Sequence, residues 1–226
     1  MATHCGRNGL FVAVAVLAAS GAWAHKPVVI NGGPTTAETA YVIEDVDVSQ
    51  VAYHEATPAQ PTLWFTFEVE AGKELYLQLG VPKIDRYADL RPAMALLGPG
   101  MPELENVPFE VPAGYGGVVY SMVGVEPEVF NEEFTGTESW QFPAETPTVE
   151  TGGKYYLVGY LPEAESGKFW VAVGTLERFG FGDIVKLPKT LRDVRSFHEV
   201  GPVGGLLFWA MVIGAMLLAI LVWLVL

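Results

Sequence analysis

Leu63-Trp64-Phe65-Thr66-Phe67-Glu68-Val69, followed after Ala71-Gly72-Lys73 by Leu75-Tyr76-Leu77-Gln78-Leu79, holds two runs in which large apolar residues recur at every second position. Successive side chains of a strand point to opposite faces, so Leu63, Phe65, Phe67 and Val69 share one side of their strand, and Leu75, Leu77 and Leu79 likewise share one side of theirs. The spacing predicts a hairpin with one firmly apolar face. Outward from it, residues 91–97 read as a strand closed by Gly98-Pro99-Gly100, and residues 154–161 and 168–173 read as a last pair across 162–167. Five such strands joined by turns too short for crossover helices predict an all-β fold, a β-sandwich.

The two ends of the chain have a different character. Residues 1–24 carry Arg7, an apolar stretch from Leu10 to Ala19 and Ala22-Trp23-Ala24, the layout of a secretory signal peptide cleaved before His25. An uncleaved anchor fits less well, because the apolar run is short for a span of about 20 residues. Residues 203–226 contain no charged side chain. At about 1.5 Å per residue they are long enough to cross a hydrocarbon core of about 30 Å, so a transmembrane helix is expected there, with Trp209 and Trp223 near its interfaces. Residues 25–180 then form an ectodomain on the periplasmic or extracellular side of a membrane. Between it and the span, residues 181–200 predict a juxtamembrane amphipathic helix, with Pro188 in its first turn. Leu187, Leu191, Val194 and His198 fall on one side of that helix, while Lys186, Lys189, Arg192 and Arg195 supply basic groups suited to lipid phosphates. Basic residues just outside a span run against the positive-inside tendency; the export signal is taken to set the orientation.

Charge and cysteine narrow the classes further. A net charge of −13 argues against nucleic acid or an anionic lipid surface as the partner of the ectodomain. The single cysteine, Cys5, lies in the signal segment, so no disulfide is expected and a packed core must hold the domain together.

The order Trp64 to Leu75, then Asp89-Leu90 with Ala93 to Gly98, then Gly152-Gly153-Lys154-Tyr155-Tyr156-Leu157-Val158 and Gly167-Lys168-Phe169-Trp170-Val171 resembles the bacterial pre-peptidase C-terminal domains. The resemblance covers about half of the mature chain and implies a jelly-roll-like sandwich without implying a chemistry. The sequence departs from it between residues 98 and 148, where an insert holds seven prolines together with Tyr115, Phe130, Phe134 and Trp140. So many packing groups predict an ordered insert, with extra strands near 118–123 and 139–142.

Trp64, Tyr76, Tyr156, Tyr160 and Trp170 fall out of phase with the Leu/Phe/Val face. Left bare, they form an aromatic platform for sugars or peptides; covered by the insert, they form a second core layer. His25, as a mature N-terminus, offers an amino nitrogen and an imidazole to one copper ion, with His54 or His198 as the further ligand. Against this, His54 reads as a half-exposed strand residue. The acidic groups at 44–47 and 126–138 lack the spacing of a calcium loop and read as solvated faces. No nucleophile motif appears; Ser121 and Ser139 have no histidine near them in sequence. The expected function is therefore non-enzymatic: a membrane-anchored extracytoplasmic binding or scaffolding protein, accessory to another envelope protein. A copper-binding protein using His25 and a carbohydrate-binding module are the alternatives.

Overall fold

The computed structural model describes residues 26–29, 33–178 and 181–202, with the backbone alone for 26–29, 181–185 and 187. The expected signal peptide, His25 and the expected span at 203–226 lie outside the described residues, among which no helix is long and apolar enough to cross a membrane.

The alternating runs form strands, and the strands form two sheets. In chain order they are β1 (Lys26–Val29), β2 (Tyr41–Val42), β3 (Gln50–Ala56), β4 (Thr62–Val69), β5 (Leu77–Pro82), β6 (Ala93–Gly98), β7 (Gly116–Ser121), β8 (Glu128–Glu132), β9 (Thr137–Gln141), β10 (Gly153–Tyr160) and β11 (Gly167–Val173), followed by helix α1 (Phe181–Phe197). A six-stranded sheet runs β1-β3-β11-β5-β9-β8, and a five-stranded sheet runs β2-β4-β10-β6-β7. The sandwich expected from the alternation is present, and its apolar faces meet as read: Leu63, Phe65 and Phe67 of β4 pack in one core with Leu77, Leu79 and Val81 of β5, Leu157 of β10 and Phe169 of β11.

The pairing of those strands differs from expectation. β4 and β5 do not form a hairpin: β4 pairs with β10 and β2, whereas β5 pairs with β11 and β9. The chain between them arches from one sheet to the other, with Gly72 N–H donating to Val149 O and Leu75 N–H to Pro147 O. β10 and β11 are joined by a second arch of the same kind, since β10 lies between β4 and β6 while β11 lies between β3 and β5. Alternation specifies which face of a strand is buried, and an arch satisfies it as well as a hairpin does.

The insert is ordered and supplies strands near both expected places, β7 and β9, together with a further strand, β8. α1 begins at Phe181, the first residue of the expected stretch 181–200. Pro188 lies inside it rather than in its first turn, a position that removes one main-chain donor from the helix. The helix ends in a reciprocal capping pattern, Val200 N–H to Arg195 O and Glu199 N–H to Ser196 O, with Glu199 at φ 59°. That left-handed position usually takes glycine; a glutamate there costs about 1 kcal/mol. Its carboxylate offsets the strain by pairing with Arg86 and with Lys168.

Candidate functional site

The five aromatic residues of the expected platform do not share a face. Trp64, Tyr156 and Tyr160 lie on the outer side of the five-stranded sheet, where Phe109 of the insert sits 5.4 Å from both the Trp64 and the Tyr160 rings and Tyr115 sits 5.3 Å from Tyr156. Trp170 lies on the outer side of the six-stranded sheet, directly over Gly80, where a Cβ would fall 2.0 Å from the indole. Tyr76 is half-buried and donates to Gln78 Oε1 at 2.9 Å. A single aromatic platform is thus replaced by two covered layers, one under the insert and one beside α1.

The cover over Trp170 holds a polar group of three that sequence proximity could not show. Ser139 Oγ is 3.1 Å from His198 Nε2, Trp170 Nε1–H donates to Ser139 Oγ at 3.1 Å, and His198 Nδ1 is 2.9 Å from Val194 O. The carbonyl can only accept, so Nδ1 carries the proton and Nε2 accepts from the serine hydroxyl. Burial holds the His198 imidazole down to about 4, keeping it neutral. Ser139 and His198 are both buried, beside a cavity of about 40 Å³. The serine oxygen is therefore engaged from two sides, and the pair joins the end of α1 to β9. Fifty-nine residues separate the two, and only the topology brings them together.

Three further contacts fix α1 at the same place. Lys168 Nζ donates to Phe197 O at 3.1 Å and to Glu199 Oε1 at 2.7 Å, a cation at a helix C-terminus. Arg86 and Lys168 together hold the Glu199 carboxyl well below its ordinary range. Arg195, expected to face lipid, instead donates to Thr135 O at 2.5 Å and to Gly201 O at 2.8 Å, because its stem leaves the helix on the side of the β8–β9 turn. Lys186, Lys189 and Arg192 are exposed, with Lys189 paired to Asp193 at 2.5 Å. The apolar side of the helix, Leu191, Val194 and His198, is buried, and His198 meets Tyr53 of the sandwich with ring centroids 5.7 Å apart.

The histidines are not brought together. His54 is buried rather than half-exposed: it packs against the Phe169 ring of the core, and Nε2 donates to Gln60 O at 3.0 Å. Along β3, His54 points into the core and Tyr53 toward α1, so His54 and His198 occupy opposite faces of one sheet. Among the described residues no group of three potential metal ligands converges.

A cavity of about 410 Å³ opens where the two sheets part at β7. Val118 and Tyr120 of β7 form one wall and residues 147–151 the other. Pro99, Met101 and Pro102 line one end, and the buried Leu96 and Tyr155 lie at the base. Its construction depends on Gly116: a Cβ there would lie 2.1 Å from the carbonyl oxygens of both Met101 and Pro102. Pro102 O accepts from Gly117 N–H at 2.8 Å, and Tyr155 O–H donates to Thr151 O at 2.7 Å. Burial, with Glu145 nearby, raises the Tyr120 hydroxyl above its ordinary range.

β7 is also a sheet edge. The Gly117 N–H points away from β6 to reach Pro102, whereas Met122 N–H, in the opposite phase, bonds to Pro92 O beside β6. Main-chain groups alternate along an antiparallel strand, so those of Val119 and Ser121 point outward with Gly117. Among the described residues none meets them.

No family model matches the chain. No curated protein matches it either. Among solved structures it resembles the pre-peptidase C-terminal domain of a Bacillus anthracis collagenase, at 15% identity over 62% of this chain and 97% of that one, with a TM-score of 0.31. It is also similar to CorA, a surface-associated copper-binding protein of Methylomicrobium album, at 10% identity over 61% and 98% of the two chains and a TM-score of 0.35. A third is PliG of Aeromonas hydrophila, a periplasmic inhibitor of g-type lysozyme, at 12% identity over 66% and 98% and a TM-score of 0.31. The resemblance to a pre-peptidase C-terminal domain agrees with the strand-and-turn pattern of the sequence. At these identities and TM-scores no activity passes from any of the three.

Proposed function

We propose that the chain is a membrane-anchored extracytoplasmic protein that holds a segment of another envelope protein in the cleft beside β7. The observation that carries this reading is a cavity of about 410 Å³ next to an open strand edge, both built largely by the insert. Cavities of this size are typical of ligand clefts, and an exposed edge offers main-chain partners to an extended chain. The leader at 1–24 and the apolar segment 203–226 support export and anchoring. Arg195, bonded to both Thr135 O and Gly201 O, ties Gly201, two residues before the expected anchor, to the sandwich. Lys186, Lys189 and Arg192 are the exposed cations left to meet lipid headgroups.

A photo-activatable side chain at Val118, inside the cleft, tests this in intact membranes against the same group at Val42, which is 62% exposed in the far edge strand β2. A discrete protein adduct is expected from position 118 and none from position 42. Equal labelling from both, or none from 118, contradicts the reading.

A further inference from the structure

We infer that the occupant of the cleft is an extended, lysine- or arginine-bearing protein segment that adds to β7 as a further strand of the five-stranded sheet. This rests on the reading of the cleft as the partner site and specifies the chemistry of the partner.

Two observations lead to it. The first is the outward main chain of Val119 and Ser121, two residues apart on the open edge, the repeat at which an added strand forms its bonds. The second is charge. Between Met101 and Thr151 the sequence contains ten glutamates and no lysine, arginine or histidine. Glu150 lines the cleft, Glu145 lies near enough to raise the Tyr120 hydroxyl, and Glu103 follows Pro102, which lies against β7. A strand added at β7 turns alternate side chains toward Val118, Tyr120 and Pro102. Lysine or arginine suits those positions, its apolar stem against Tyr120 and its charge near Glu145 and Glu150 on the same face, and apolar residues suit the positions between them, beside Val119 and Leu104. Complementary charge chiefly raises the rate of encounter and excludes acidic segments.

The test uses the full-length protein in detergent micelles and a labelled ten-residue peptide in which lysine alternates with valine. A second peptide carries glutamate in place of lysine. Saturable binding of the lysine peptide, weakened by salt, is expected, with no binding of the glutamate peptide. Val119→Pro removes an outward N–H and leaves the β6–β7 bonds in place, a substitution an edge strand tolerates; it is expected to weaken binding at least tenfold. The double variant Glu145→Lys with Glu150→Lys, which alters no main-chain bond, is expected to weaken it to a similar degree and keeps the test valid if the proline variant does not fold. The inference is overturned if the lysine peptide does not bind saturably, if both peptides bind alike, or if neither variant weakens binding. An adduct from Val118 in membranes alongside any of these results leaves the partner site standing and removes only the strand and charge assignment.

Discussion

Trp170→Ala is expected to lower the free energy of unfolding by about 3–5 kcal/mol, the usual cost of removing a buried tryptophan side chain. Trp170 is 5% exposed, covers Gly80 and donates to Ser139 Oγ. Its loss leaves a cavity over a glycine, which has no side chain to fill it, and takes one hydrogen bond from the serine that holds His198. Thermal melts of the full chain in detergent, followed by circular dichroism, check this. A surface tryptophan stacked on a sugar would behave differently: the variant would melt like the parent and lose retention on a polysaccharide column. A shift in the melt with no change in retention supports the covered layer.

Acid is expected to loosen the same contact. His198 has an ordinary value of 6.5 and is held at about 4 in the folded chain by burial. Above pH 6.5 it is neutral in both states and adds no pH dependence. Between pH 6.5 and about 4 the unfolded chain binds a proton that the folded chain refuses, so stability falls, by about 3 kcal/mol at most. Lys168 acts in the same direction, and the hydrogen bond to Val194 O opposes it. Glu132, beside the same cavity, has its carboxyl raised by burial, so its own contribution grows as pH falls. Tyr53, whose ring lies against His198, stays protonated throughout this range, since burial raises its hydroxyl. Comparing the parent with His198→Gln separates these contributions. Denaturant unfolding at pH 7 and pH 4.5 is expected to show the parent losing about 2 kcal/mol more than the variant; equal losses would remove His198 from the account.

The burial of each strand was legible because period-2 alternation states it directly: every core residue named from β4 lies in the core. The partner of each strand was not legible. Pairing depends on where the chain goes after the turn, and Ala71-Gly72-Lys73 serves an arch between sheets as readily as a hairpin. The covered state of Trp64 and Tyr156 follows from Phe109 and Tyr115 respectively, both aromatic residues of the insert. What no local pattern carries is a contact such as Ser139 with His198, or the edge position of β7, each of which arises from the order of strands in a sheet.

Arg195 shows the same limit from the other direction. Its charge and its place before an apolar segment suit a membrane surface, and Lys186, Lys189 and Arg192 are exposed as that pattern implies. Yet the carbonyl oxygens of Thr135 and Gly136 converge on its guanidinium, and a fixed set of acceptors outweighs a mobile one. The sequence pattern identifies four basic groups; the fold selects which one holds the helix.

Hydrogen exchange at the main-chain amides of Val119 and Ser121 tests the central claim most directly. In the purified full-length protein in detergent both amides are expected to exchange quickly, because they face outward from an edge strand. In native membranes, where the partner is present, both are expected to be protected, while Val118 and Tyr120, which face β6, keep the protection they already have. Equal exchange of Val119 and Ser121 in the two settings would mean that nothing adds to β7, and the proposed site would be wrong.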